Sequence, residues 1–173
     1  MTSPLSWPDA LHAEFGLLGV RQVAYVPDAG HRRLIELCEQ DPAIHAVSLT
    51  TEEEGVALLA GAWLGGQRGV LLLQSSGVGN CINMLSLQQE CRMPLVMLVT
   101  MRGEWSEFNP WQVAMGSATE RVLAACGVQV YRIDRVEDVV ETVRSAGLHA
   151  WQTGRSVAVL ISQRLLGAKS FRK

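Results

Sequence analysis

Two runs, Val70 to Gln74 and Pro94 to Thr100, are apolar almost from end to end. A strand with one wet face alternates polar and apolar side chains. A short continuous apolar run instead suits a strand buried on both faces, as in a parallel sheet covered by helices. The rest of the chain fits that frame. Gln22 to Val26, His45 to Leu49, Val128 to Ile133 and Ser156 to Ile161 are further β-prone runs. Between them lie helical stretches. Ser6 can cap a first helix, with Pro8 in its first turn and Leu11, Phe15 and Leu18 as its apolar stripe before Gly19 stops it. Others run from about His31 to Glu39, Glu52 to Leu64, Ser75 to about Gln89, Pro110 to Gly127 and Glu137 to about Trp151. Strands alternating with helices predict one α/β domain over 1–173, a doubly wound parallel six-stranded sheet flanked by helices. Only the Lys169 to Lys173 tail reads as frayed.

Charge and cysteine usage narrow the function. Fifteen basic against seventeen acidic residues leave no basic stripe for a phosphate backbone, so nucleic-acid binding is not expected. Charged residues are only 18% of the chain, which points to surface covered by another subunit. Cys38, Cys81, Cys91 and Cys126 form no CxxC pair, and reduced thiols in a cytoplasmic protein are the plain reading. The N-terminal residues lack a basic stretch followed by an apolar one, so no signal peptide is expected. No apolar run approaches the ~20 residues that a membrane helix needs, so neither is a membrane span.

In a doubly wound sheet, ligands bind beyond the carboxyl ends of the strands. The loops at 27–31, 50–54, 75–80 and 101–109 each carry polar or glycine-rich sequence directly after an apolar run. Ser75-Ser76-Gly77-Val78-Gly79-Asn80 is the most specific, a strand-to-helix turn able to offer backbone N–H groups to a ligand. It is neither a dinucleotide fingerprint, which needs glycine where Ile82 stands, nor a P-loop. A tight turn with glycines chosen for backbone angles is its plain alternative. Glu52-Glu53-Glu54 opens a helix, where acidic side chains complement the macrodipole, and spacing alone does not say which of the three has a further task. His12, His31, His45 and His149 form no ligand pair, so a histidine metal site is not expected. His31 alone lies in a candidate loop, and an exposed helix-start histidine is the bland reading of it. Cys81 stands near a helix start but is expected to face the core.

The stretches Thr51-Glu52-Glu53-Glu54-Gly55 to Gly61 and Gly69 to Asn83 resemble the pyrimidine-binding domain of thiamine-diphosphate-dependent decarboxylases, with Gln74-Ser75-Ser76-Gly77-Val78-Gly79-Asn80 the most specific part. Within that family the sequence is similar to the alpha subunits of sulfopyruvate decarboxylases and the matching part of phosphonopyruvate decarboxylases. Val26-Pro27-Asp28 and Arg102-Gly103-Glu104 followed by Gln112 fit as well. The family's glutamate lies nine residues before the glycine matching Gly61, which is Glu52. The resemblance implies that Glu52 is the catalytic group, binding the aminopyrimidine of the cofactor and promoting the tautomer that activates the thiazolium carbon against a 2-oxo acid. It implies that Gln74, Ser75, Gly77, Gly79 and Asn80 line the cofactor. Asp28, His31, Arg102 and Gln112 would face the substrate, with Arg102 a candidate for an anionic tail or else a member of a salt bridge. Ala29-Gly30-His31 and Trp105-Ser106-Glu107-Phe108 depart from relatives in substrate-facing loops, which leaves the particular 2-oxo acid open.

The resemblance also implies what the chain lacks. Family members hold the diphosphate and its Mg²⁺ with a domain carrying Gly-Asp-Gly, and this sequence has no Gly-Asp-Gly. A beta subunit would then supply the diphosphate half and the metal, in a homo-dimeric or hetero-oligomeric assembly. The reading that follows is a lyase subunit giving an aldehyde and carbon dioxide. Its alternatives are a non-catalytic scaffold homologue or a carboligase using the same cofactor.

Overall fold

The computed structural model describes residues 6–167; the Lys169 to Lys173 tail lies outside them. Six strands run in the order β1 (Val20–Tyr25), β2 (His45–Ser48), β3 (Arg68–Gln74), β4 (Leu95–Thr100), β5 (Gln129–Ile133) and β6 (Ser156–Ile161). They form one sheet ordered β2-β1-β3-β4-β6-β5, and every neighbouring pair is parallel. The chain goes outward from β1 to β2, then crosses back to β3 and β4. Strand order therefore reverses between β1 and β3, and a crevice opens there at the carboxyl ends.

Helices cover both faces, as the double-apolar strands require. On one side α1 (Trp7–Leu18), α2 (Arg32–Gln40) and α7 (Val139–Thr153) bring Leu11, Phe15, Leu34 and Ala146 onto Val23, Leu72, Leu98 and Val159. On the other, α3 (Glu52–Leu64), α4 (Ser75–Cys81), α5 (Leu85–Cys91) and α6 (Val113–Ala125) set Val56, Leu59, Val78 and Leu123 against Leu71, Leu73, Met97 and Val99. Leu71 and Leu73 face one layer and Val70 and Leu72 the other, the period-two alternation of a strand with no wet side. Gly55 is where α3 comes down on the sheet, since a Cβ there would lie 2.5 Å from Leu71 Cδ1.

The expected elements are present with shifted ends, and two differ in kind. The helix expected from Ser75 to Gln89 is two helices, α4 and α5, parted by a turn at 82–84. Gly77 and Gly79 weaken the first helix, and the Asn83 carbonyl takes hydrogen bonds from the Ser86 N–H at 3.3 Å and its hydroxyl at 2.7 Å. A short α8 (Gln163–Leu166) follows β6 and has no counterpart in the sequence reading; Ser162 Oγ accepts from Arg164 N at 3.1 Å to start it. Ser6 does precede α1, but its hydroxyl bonds the Asp9 carboxylate instead of the helix backbone.

The energetic weight sits in the middle of the sheet. Leu98 on β4 is 0% exposed, so Leu98→Ala is expected to cost about 2–5 kcal/mol in urea unfolding. Leu17→Ala, at a side chain 80% exposed, should stay within about 0.5 kcal/mol. Equal effects would overturn the assignment of the core.

Candidate active site

Three central strands are tied together at their carboxyl ends by one side chain. Asp28, three residues past β1, accepts from Gln74 Nε2 (2.9 Å) at the end of β3 and from Thr100 Oγ1 (2.6 Å) at the end of β4. It also accepts from Gly30 N at 3.0 Å, turning its own loop back over the sheet. Glycine is needed at 30, where a Cβ would sit 2.7 Å from Thr100 Cγ2. Gln74 passes the order on, because its Oε1 accepts from Ser76 Oγ at 2.9 Å in the first turn of α4.

One turn further along α4 the chain meets the start of α3. Glu52 is 8% exposed, and its Oε2 accepts from Asn80 Nδ2 at 2.7 Å. Gly77 lies directly beneath the carboxylate; a Cβ at that position would fall 2.2 Å from Glu52 Oε1. The glycine is thus a steric requirement of the glutamate, and backbone flexibility is not its reason. Glu54 is spent locally, its Oε2 accepting from the backbone N–H of Thr50 at 2.8 Å in a capping box around Thr51. Glu53 is exposed on the first turn. Among the three acidic residues only Glu52 is carried inward.

The remaining expected residues divide. Ser75 is fully buried and its Oγ accepts from Arg102 N at 3.1 Å, so its hydroxyl braces the β4 loop. Gly79 and Asn80 are exposed beside it, Gly79 with Met115 as nearest neighbour at 3.5 Å from a would-be Cβ. Gln112 ends a 3-10 turn (Pro110–Gln112), and its carbonyl presses on Gly103 so closely that a Cβ at Gly103 would lie 2.3 Å away. Its Oε1 is buried with no hydrogen-bond partner among the described residues.

His31 and Arg102 are both engaged within the fold. His31 does not open onto the crevice, nor is it an exposed helix-start residue. Its ring is wholly buried with Nε2 3.0 Å from Leu98 O; burial pushes its pKa down against the opposing pull of Asp28, so it serves as a neutral brace. Of the two uses the sequence leaves open for Arg102, the salt bridge is the one present. Arg102 Nε and Nη2 donate to both Glu107 oxygens at 2.7 and 2.6 Å, and its guanidinium lies 5.3 Å from the centre of the Phe108 ring. The carboxylate of Glu107 also accepts from Gly103 N, Asn109 N and Gln163 Nε2, at 3.0, 3.0 and 2.9 Å. Cys81 faces the core as expected, its thiol pushed up to about 12 by burial.

The sequence reading missed Thr100, Glu107 and Gln163. Thr100 carries a visible signal, a hydroxyl closing an apolar strand. Gln163 carries none, since its partners Glu104 and Glu107 are far away along the chain. Among the described residues no three His, Cys, Asp or Glu side chains converge to hold a metal ion, and no helix is long and apolar enough to cross a membrane.

The Arg102 guanidinium holds the Glu107 carboxyl well below the usual carboxylate range. A depressed folded-state pKa gives stability that is complete above the unfolded value of about 4.3 and is lost as pH falls towards the folded one. Glu107→Gln is expected to cost about 3–5 kcal/mol at pH 7, because it leaves a buried arginine unpaired. It should also flatten the acid limb of the pH–stability curve. An unchanged acid limb would overturn the assignment.

No family model matches the chain. It is 33% identical over 154 residues to the sulfopyruvate decarboxylase alpha subunit of Methanothermobacter thermautotrophicus, covering 88% of this chain and 93% of that one. The corresponding subunit of Methanocaldococcus jannaschii is 32% identical over 139 residues, 80% and 82% of the two chains. A phosphonopyruvate decarboxylase of Streptomyces viridochromogenes is 38% identical over 131 residues, which is 75% of this chain but 33% of that longer protein. Among solved structures, a 2-oxoglutarate:ferredoxin oxidoreductase from Magnetococcus marinus superposes with a TM-score of 0.75 at 17% identity, over 94% of this chain and 29% of that one. A protein from Mycobacterium smegmatis described as a thiamin diphosphate-dependent enzyme gives 0.70 at 20% identity, over 98% and 34%. These two share the fold. Identity near one third across almost the full length of both chains goes further, and this chain belongs to the family of sulfopyruvate decarboxylase alpha subunits.

Proposed function

We propose that the chain supplies the pyrimidine side of a thiamine diphosphate site in an enzyme that converts a 2-oxo acid and a proton into an aldehyde and carbon dioxide. The observation that carries the reading is the Glu52 carboxylate, nearly buried at the sheet's switch point, with Gly77 under it and Asn80 on one oxygen. When bound, thiamine diphosphate supplies a nucleophilic carbon and an electron sink for the pair released as carbon dioxide leaves. The residues present fit its aminopyrimidine. Glu52 Oε2 is fixed by Asn80, while Oε1 has no hydrogen-bond partner among the described residues and is left to exchange a proton with a ring nitrogen. Burial of Glu52 keeps bulk water from competing for that proton. The Gln74–Ser76 and Asp28–Thr100 bonds hold the neighbouring loops at fixed height, and that rigidity keeps the carboxylate in register with a bound ring.

The rest of the site is assigned to a partner. The chain has no Gly-Asp-Gly, so the diphosphate and Mg²⁺ are proposed to sit on a beta subunit, and the relatives named alpha subunits support a second chain. Trp105, Phe108, Trp111 and Val113 are exposed beside the same edge of the sheet, an apolar patch of the kind that association covers.

An anionic tail needs a cation that is not already engaged. With Arg102 locked to Glu107, we assign that role to Arg32. It shares a hollow of about 300 Å³ with Asp28 and Ala29 and is held only by an exposed pair with Glu36.

With the partner present, Glu52→Gln is expected to lower kcat about 10²–10⁴-fold while the thermal midpoint stays unchanged. An undiminished rate would sink the role of Glu52 and favour the scaffold reading. Arg32→Ala is expected to raise KM roughly tenfold for sulfopyruvate or phosphonopyruvate and to leave pyruvate unaffected. Equal changes for charged-tail and neutral-tail substrates would remove Arg32 from substrate recognition.

A further inference from the structure

The described residues contain twelve arginines. Ten of them meet a carboxylate, a backbone carbonyl or an aromatic ring. The remaining two, Arg92 and Arg155, have no such partner among the described residues, and both line the same cavity of about 420 Å³. That cavity lies at the amino edge of the sheet, opposite the candidate active site. It is where α5, α6 and α7 end and the chain turns back toward β4, β5 and β6.

The other polar groups on the cavity wall suit an anion. Gln89, Thr153 and Ser156 line it beside the two guanidinia. Thr153 donates to His149 O at 2.7 Å, whereas no hydrogen bond engages the side chains of Gln89 or Ser156 among the described residues. Gly154 makes the arrangement possible, because a Cβ there would lie 2.7 Å from the Arg92 carbonyl and push the two turns apart. We propose that this cavity is a binding site for a small ligand carrying a doubly charged oxyanion of the phosphoryl kind, gripped by Arg92 and Arg155 and hydrogen-bonded by Gln89 and Ser156.

A simpler use for arginines at three helix carboxyl ends is to offset the helix dipoles. The termini themselves argue against it. Their carbonyls are closed by backbone N–H groups, Gly127 to Ala124 O at 3.0 Å and Gly154 to Ala150 O at 2.9 Å, and neither guanidinium donates to them. Arg92 and Arg155 are both exposed, and two like charges drawn to one hollow with no carboxylate on its wall repel each other. A dianion reverses that cost, and two bidentate forks match its geometry better than lysines would. The site stands about 20 Å from the carboxyl edge, six residues of β4 and β6 away, so it is separate from the cofactor side.

The proposal does not rest on the decarboxylase reading and is tested without turnover. Calorimetric titration of the full chain with inorganic phosphate and with glycerol 3-phosphate is expected to show saturable binding of at least one. Tighter binding of the ester points to a phosphorylated metabolite, and equal binding to phosphate itself. Arg92→Ala with Arg155→Ala should weaken binding at least tenfold, while Arg121→Ala, which removes the same charge elsewhere, should not. If the alanine pair fails to fold by circular dichroism, Arg92→Gln with Arg155→Gln replaces it. No binding, equal binding of acetate, or undiminished binding by the double variant would overturn the proposal, and the last two would mean unspecific screening of charge.

Discussion

Burial of both faces of the central strands is the constraint on which the rest of this molecule depends. β3, β4 and β6 are sealed on each side by apolar helices, and four consecutive residues of β3, Val70 to Leu73, are fully buried. A sheet of this kind has no surface on which to place a polar group except its two edges. The carboxyl edge carries the candidate active site and the amino edge the arginine-lined cavity. Between the edges the strands are packed mainly by apolar side chains, with few buried polar groups such as His31 and Gln88, so the two edges are physically separate.

At the carboxyl edge, carboxylates do two kinds of work. Asp28 and Glu107 each accept several hydrogen bonds, from three different elements in the first case and from the arginine and loop around it in the second. Both fix loops. Glu52 is held by one bond on one oxygen and pressed against a glycine. The difference in saturation separates a structural carboxylate from one left with capacity for a proton or a ligand. The same accounting separates the arginines: Arg102 is used up within the fold, whereas Arg32, Arg92 and Arg155 retain donors.

Legibility in the sequence followed the range of the interaction. The helix break at 82–84 and the added α8 depend on local hydrogen bonds whose glycine and serine signals are present but weak. Glu52 was placed through its resemblance to known decarboxylases and its position at a strand-loop junction, and the structure adds the reason Gly77 must be glycine. Asp28 was expected at the substrate, whereas the structure shows its carboxylate binding Gln74 and Thr100 of two other strands.

What the sequence determined by itself is the layered fold and the loops on which the chemistry stands, because apolar periodicity and strand-loop order are local properties of the chain. What only the tertiary structure decided is the occupation of each polar group. His31 reads as a loop histidine but is buried against Leu98 O, and Arg102, which reads equally as a tail contact or a salt-bridge partner, is paired with Glu107. Arg92 and Arg155 are 63 positions apart in sequence, yet they share one cavity. Hydrogen-bond donors and acceptors are satisfied by neighbours in space, and strand order sets which neighbours those are.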